Sequence, residues 1–243
     1  MAKRSVTAFA PISSGNFIIG FDILGAAMSP VASEPLGDFV TVSLRDSNYK
    51  NDPNYREDEV LIDGPFAKQL PDDPKQNIVY SCLLRFNSAL KERGTNPLDI
   101  TLALHKCLPV GSGLGSSAAS VVAAFKALNL FYAQPFNNTE LLILCGELEG
   151  QISGAVHYDN VAPSLFGGLQ LMSETEELSH TLPTPPWHYV LLHPGTQVST
   201  RDARDVLPKQ YNRKDAVRFG QKLSNFIHAL HTNNFVHAAA QLQ

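Results

Sequence analysis

Residues 109–120 read Pro-Val-Gly-Ser-Gly-Leu-Gly-Ser-Ser-Ala-Ala-Ser, and an alanine-containing apolar run continues from them. Alternating glycines permit positive φ and let backbone N–H groups come close to a ligand. A helix that begins directly after such a loop adds unpaired N–H groups and the positive end of its dipole. The combination is an anion cradle, and phosphate is its usual occupant. Two familiar phosphate loops do not fit. A Walker loop ends in Gly-Lys-Ser/Thr, whereas Gly115 is followed by Ser116 and Ser117 with no lysine. The dinucleotide fingerprint needs glycine at its first, third and sixth places; Gly111 and Gly113 comply, but the sixth place is Ser116.

Around the loop, strand and helix patterns succeed one another. Residues 38–44 alternate, with Val40, Val42 and Leu44 on one side, as in a half-buried strand. The polar stretch 49–59, with Pro53, reads as a surface connection between hairpin strands. Residues 76–93 carry Ile78, Cys82, Phe86 and Ala89 near helical spacing, and Gly94 suits the stop. A strand at 100–105 precedes the glycine loop. The helix after the loop runs to about residue 132 and buries Ala118, Val121, Val122, Phe125 and Leu128. Asn137 or Asn138 caps a further helix through Leu148. Beyond Gly167-Gly168 the pattern predicts strands at 168–172 and 187–193, a proline-rich connector at 183–186, and helices at 200–207, 214–230 and 234–243. Strands first, then strands with helices, make an α+β chain in two halves.

Composition excludes more than it selects. A chain of 243 residues can bury a full core, and 44% hydrophobic with 17% charged residues is ordinary for a globular protein. A formal net charge of -4 gives no reason to expect nucleic acid or an anionic membrane as partner. Cys82, Cys107 and Cys145 are dispersed and lack Cys-x-x-Cys spacing, so they read as buried thiols of a reducing compartment. No signal peptide and no run of membrane-spanning length is visible, and the expected location is cytoplasmic.

Three further groups of residues carry potential chemistry. In 10–25, a polar loop with Asn16 is followed by Asp22 between Gly20 and Gly25; its carboxylate either caps a turn or meets an ammonium. In 146–168, Glu147 and Glu149 are two apart and cannot share a helical face, so at most one points at a site. A carboxylate facing the loop would complete a Mg²⁺ site with a loop serine and phosphate oxygens. His157, Asp159 and Asn160 follow. In 199–204, Thr200 and Arg204 lie at i and i+4 on one face of a helix start, and an arginine fork suits a carboxylate.

The stretch Pro-x-x-x-Gly-Leu-Gly-Ser-Ser-Ala resembles the nucleotide-phosphate loop of the GHMP kinases. With the 10–25 segment, Gly-Glu-Leu-Glu-Gly, His-Tyr-Asp-Asn-Val-Ala-Pro and Ser-Thr-x-x-Ala-Arg, the chain from about Ala8 onward is similar to the homoserine kinases of that family, and closest to bacterial forms. The resemblance implies an N-terminal domain like ribosomal protein S5 domain 2 (residues 1–166) and a ferredoxin-like C-terminal domain (167–243), the latter incomplete. It implies ATP on Pro109, Gly111, Ser112, Gly113, Leu114, Gly115, Ser116 and Ser117, and Mg²⁺ on Ser117 and Glu149. It places the acceptor, L-homoserine, against Asn16, Asp22, His157, Asn160, Thr200 and Arg204, with Asn160, Glu149 and Ser117 as the catalytic set. Asn160 stands where mevalonate kinase-like relatives carry a catalytic Asp. An amide cannot act as general base, so it orients the acceptor hydroxyl. Asp159 is one residue away from that place.

A third glycine-rich motif of the family is not seen after Gly168, where only Gly195 and Gly220 remain, both isolated. The expectation is therefore of a chain shortened at its C-terminus. Homodimerisation is expected by analogy. The rival readings are a GHMP kinase for another small hydroxylated metabolite, and a non-catalytic protein that binds nucleotide or a partner without turnover.

Overall fold

The structure is a computed structural model and describes residues 5–31, 34–45, 60–154, 156–192, 195, 203 and 205–242. Its elements in chain order are β1 (Ser5–Pro11), β2 (Ser13–Gly15), β3 (Leu24–Ala27), β4 (Gly37–Leu44), β5 (Val60–Asp63), α1 (Ile78–Glu92), β6 (Ile100–His105), α2 (Ser116–Phe131), α3 (Asn138–Ser153), α4 (Val161–Phe166), β7 (Leu169–Met172), β8 (Ser179–Leu182), α5 (Arg213–His231) and α6 (Phe235–Ala240). They build two four-stranded sheets, one ordered β1-β4-β6-β5 and the other β2-β3-β7-β8.

The first sheet carries the larger core. Ile100, Leu102 and Leu104 fall on one face of β6 by strand alternation, and all three are buried with Val40 and Val42 of β4. Helices α1 and α3 pack on the central helix α2. The sequence led us to expect one buried face on α2. In fact Ala118, Ala119, Val121, Val122, Ala123, Ala124, Phe125, Ala127, Leu128 and Phe131 are all fully buried, so most of the helix surface is enclosed, with Leu130 exposed near its end. Its many alanines allow sheet and helices to approach it closely. Cys82 and Cys145 are buried in this core, whereas Cys107 is partly exposed.

Helix starts follow their caps. Asn77 Oδ1 accepts from Val79 N–H at 2.9 Å at the start of α1. Asn137 and Glu140 form a reciprocal capping box on α3, which continues past the expected Leu148 to Ser153. Gly94, at φ +74°, follows the end of α1.

Two expectations need correction. Strands β4 and β5 do not form a hairpin: β6 lies between them, antiparallel to β4 and parallel to β5. Both inner strands, β4 and β6, carry a fully buried apolar face, and the 46–59 connection lies outside the described residues. The strand expected at 187–193 is not formed at 187–192. That segment follows Pro185 and Pro186 and makes no ladder with β8; it contributes side chains instead, with Tyr189 edge-on to Phe17 at 5.8 Å between centroids. The helix expected at 200–207 lies largely outside the described residues.

The second sheet draws on both ends of the chain. Leu24–Ala26 of β3 pair with Leu169–Leu171 of β7, so residues near the start hydrogen-bond to residues beyond Gly168. Phe17, Leu24, Ala26, Leu169, Leu182, Phe226, Ala229, Leu230 and Ala238 form a smaller core beneath this sheet.

Candidate active site

The glycine loop bridges β6 and α2. Gly111, Gly113 and Gly115 adopt φ of +69°, +74° and +63°, the left-handed region the sequence suggested. Gly115 is the N-cap of α2, and no side chain caps that helix, which leaves its first N–H groups turned toward the loop. A Cβ on Gly113 would meet nothing within 4 Å, so the loop tip is open. A Cβ on Gly115 would lie 2.1 Å from Ser13 Oγ and 3.0 Å from Asn160 Oδ1. Glycine there lets the loop, β2 and Asn160 converge.

The loop is held from several sides. Ser13 N–H donates to Leu114 C=O at 3.2 Å, Val110 N–H to Gln69 Oε1 at 2.8 Å, and Ser112 Oγ–H to Pro109 C=O at 2.8 Å. Leu114 packs against the main core. Ser116 turns inward, its hydroxyl on Leu108 C=O at 3.3 Å, so its backbone rather than its side chain faces an anion. Ser117 Oγ–H donates to Glu149 Oε1 at 2.5 Å. Burial pushes Glu149 above the ordinary carboxylate range; the Ser117 hydrogen bond opposes that, Asp159 adds to it and Lys106 opposes it. Glu147 turns the other way and pairs with Arg85 of α1 at 2.7 Å.

Facing the loop is the 13–22 segment with the 157–160 turn. Asn160 Oδ1 accepts from Ser13 Oγ–H at 3.0 Å and from Gly15 N–H at 3.1 Å. Asn16 Oδ1 accepts from Asp22 N–H at 2.8 Å and so fixes the backbone that carries the carboxylate. Asn16, Ile18 and Asp22 all have positive φ, a concentration of unfavourable backbone that folds retain mainly at functional sites. His157 Nδ1 stands 3.7 Å from Asp22 Oδ1. His157 Nε2 is buried and has no hydrogen-bond partner among the described residues.

The structure therefore brings together Gly115, Ser117, Glu149 and Asn160 on one side, and Asn16, Asp22 and His157 on the other. Thr200 and Arg204 lie outside the described residues. Asp159 is not a base in waiting: its Oδ2 accepts from Asn16 N–H at 3.1 Å, and its carbonyl would sit 1.8 Å from a Cβ on Gly25. It ties the 157–160 turn to the first segment.

Residues 77–168 match the model of the GHMP kinases N-terminal domain. The structure superposes on a homoserine kinase from Cytophaga hutchinsonii with a TM-score of 0.81 at 31% identity, covering 100% of this chain and 72% of that one. The chain belongs to the GHMP kinase family. A phosphomevalonate kinase from Streptococcus pneumoniae, solved with phosphomevalonate and AMPPNP, shares the fold at a TM-score of 0.65 and 14% identity, covering 98% of this chain and 77% of that one. In this chain the loop, Glu149, His157 and Asn160 all fall inside the matched stretch, while Asn16 and Asp22 precede it.

Sequence reasoning missed the residues that support the site. Ser13 was visible only as one serine of a Pro-Ile-Ser-Ser-Gly run. Lys106 was the one signal open to reading: a lysine at the end of an apolar strand, three residues before the loop, which is buried with Asp38.

Proposed function

We propose that the chain transfers the γ-phosphoryl group of ATP to the side-chain hydroxyl of L-homoserine, giving O-phospho-L-homoserine and ADP, with the hydroxyl proton leaving on the transferred phosphoryl group or to solvent. The observation that carries this reading is the position of Asn160. Its oxygen is tied to Ser13 and Gly15, and it stands against Gly115, so an acceptor held by the 13–22 segment meets a phosphate held by the loop. The likeness to the Cytophaga enzyme supports homoserine as acceptor.

The residues present fit ATP and Mg²⁺. The open loop tip and the uncapped N-terminus of α2 suit a triphosphate. No cluster of three or more His, Cys, Asp or Glu side chains suited to a metal occurs among the described residues. Ser117 and Glu149 would hold Mg²⁺ jointly with phosphate oxygens, which is how this hard cation is commonly bound. When bound, Mg²⁺ neutralises charge on the transferring phosphoryl group.

The chain's own residues then bind and orient. The backbone N–H groups from Gly111 to Ser117 receive the phosphates. The Asn160 amide donates to the acceptor hydroxyl and fixes its direction; it removes no proton. Phosphoryl transfer accepts this, because positioning and charge neutralisation supply most of its catalysis. Asp22 binds the acceptor ammonium, His157 offers its buried Nε2, and Thr200 and Arg204 bind the carboxylate. The division at 166/167, a cytoplasmic location and homodimerisation belong to the same reading. No helix among the described residues is long and apolar enough to cross a membrane.

Steady-state turnover of three acceptors tests it. L-homoserine should be phosphorylated, N-acetyl-L-homoserine should show a KM at least about tenfold higher because Asp22 loses its ammonium, and phosphomevalonate should be inert. Turnover of phosphomevalonate but not of L-homoserine would overturn the assignment.

A further inference from the structure

Beneath the glycine loop lies an ion pair for which phosphoryl transfer has no direct use. Lys106 is 2% exposed and Asp38 0%. Lys106 Nζ donates to Asp38 Oδ2 at 2.5 Å, to Ser116 C=O at 2.8 Å and to Ser120 Oγ at 2.9 Å. Ser120 Oγ–H donates to Asp38 Oδ2 at 2.6 Å. The other carboxylate oxygen, Asp38 Oδ1, accepts from the backbone N–H groups of Cys107 at 2.9 Å and Leu108 at 3.2 Å.

The connectivity matters more than the burial. Cys107 and Leu108 are the residues by which the chain enters the loop, and Ser116 and Ser120 belong to the first turns of α2, by which it leaves. Asp38, at the start of β4, holds the entrance with one oxygen; with the other it holds Lys106 and Ser120, which hold the exit. The two ends of a loop that is open at Gly113 are thus fixed from below. Desolvating a lysine and a carboxylate is expensive, and apolar residues of similar volume often stabilise a core as well or better. Burial lowers the pKa of Lys106 against the opposing pull of Asp38, in keeping with that cost. A device this costly, placed under one loop, needs a return other than stability.

We propose that Asp38, Lys106 and Ser120 are positioning residues for nucleotide: they set the separation between the entrance and exit of the glycine loop, and hence the alignment of its N–H groups on the phosphates. This rests on the proposed phosphate role of the loop. It predicts an effect confined to the nucleotide side, because none of the three touches Asn16, Asp22, His157 or Asn160 by any hydrogen bond or ion pair described.

The test is the affinity of the full chain for Mg²⁺–AMPPNP by calorimetry, with KM for ATP and for L-homoserine measured on the same preparations. Lys106→Met keeps length and removes all three hydrogen bonds; nucleotide should bind at least about tenfold more weakly, with KM for L-homoserine within about twofold of the parent. Ser120→Ala removes one hydroxyl, fills no new space, and should weaken nucleotide about threefold. Ser120→Thr, which restores a hydroxyl, should recover most of that loss. If Lys106→Met does not fold, the Ser120 pair decides. Variants that fold with altered thermal midpoints but bind AMPPNP within twofold of the parent would show a purely structural pair and overturn the proposal. A parent chain that binds no AMPPNP would instead overturn the ATP reading itself, and this proposal with it.

Discussion

The two sheets are built to different standards. In the first region α2 is buried over most of its surface, and the loop before it is fixed by Gln69, Ser13, Ser116 and the Asp38–Lys106 pair. In the second, nine buried hydrophobic residues among the described ones form the core, α5 buries only Phe226, Ala229 and Leu230, and Val190, Leu192, Val206 and Val236 are each more than 80% exposed. The proposed phosphate site belongs to the first region, and the proposed acceptor segment adjoins both: Ser13–Gly15 belong to the second sheet, yet Ser13 bonds to Leu114 of the loop and Ser13 and Gly15 bond to Asn160. One lesson follows. A site of this kind joins a stiff anion cradle, whose geometry one helix and its buried supports determine, to an acceptor side that adjoins a lightly packed region.

Matched core truncations would break that contrast most visibly. Phe125→Ala in α2 should cost about 3–5 kcal/mol of global stability, as expected for a large side chain removed from a tight core. Phe226→Ala removes an equally buried ring from the smaller core. It should open the second sheet locally at a cost near the lower end, about 3 kcal/mol, while amides of α2 and β6 keep their protection. Denaturant unfolding with hydrogen exchange reads both. Equal loss of protection everywhere in both variants would show one cooperative unit and remove the contrast.

Within the site, Gly115→Ala should lower kcat/KM about 100-fold, since a 1 Å displacement of positioned groups can cost that much. The new Cβ would sit 2.1 Å from Ser13 Oγ on a left-handed backbone. Glu149→Gln should lower kcat/KM about 10–100-fold, the range seen when groups supporting a metal are lost. Its effect on stability should run the other way. Because burial raises the pKa of Glu149, its contribution to stability is fully present below the unfolded carboxylate value of about 4.3 and is lost as pH rises through the raised folded value. At neutral pH the Gln variant should therefore melt higher than the parent, and the gap should close on acidification. A gap that widens toward low pH would contradict the burial argument. The smallest effect is expected from Arg85→Ala, which breaks the part-exposed pair with Glu147 between α1 and α3 and should cost about 0.5 kcal/mol with no change in activity.

What the sequence disclosed follows the same divide. The glycine loop, the run of apolar residues after it, Asn77 and Asn137 as caps, and Gly94 as a stop are local signals: each depends on residues within a turn or two of itself. Strands β4 and β6 were legible by alternation. The position of β5 was not, because which strand lies between two others is decided by burial across the sheet and not by spacing along the chain. No strand forms at 187–192 because extended apolar residues need a partner edge, and this segment, which follows Pro185 and Pro186, makes no ladder with β8. Asn160 and Glu149 were found through family resemblance to motifs. Asp38 was visible only as the first residue of a strand, since its significance lies in Cys107, Leu108 and Lys106, about 70 positions away. Long-range polar supports leave no periodic trace.

The most direct test of the whole account is the ³¹P NMR spectrum of the chain incubated with ATP, Mg²⁺ and L-homoserine. The account predicts a new phosphomonoester resonance coupled to the side-chain methylene of homoserine, growing as the γ-phosphate signal of ATP declines. Binding of nucleotide with no such resonance, or loss of γ-phosphate only as inorganic phosphate, would contradict it.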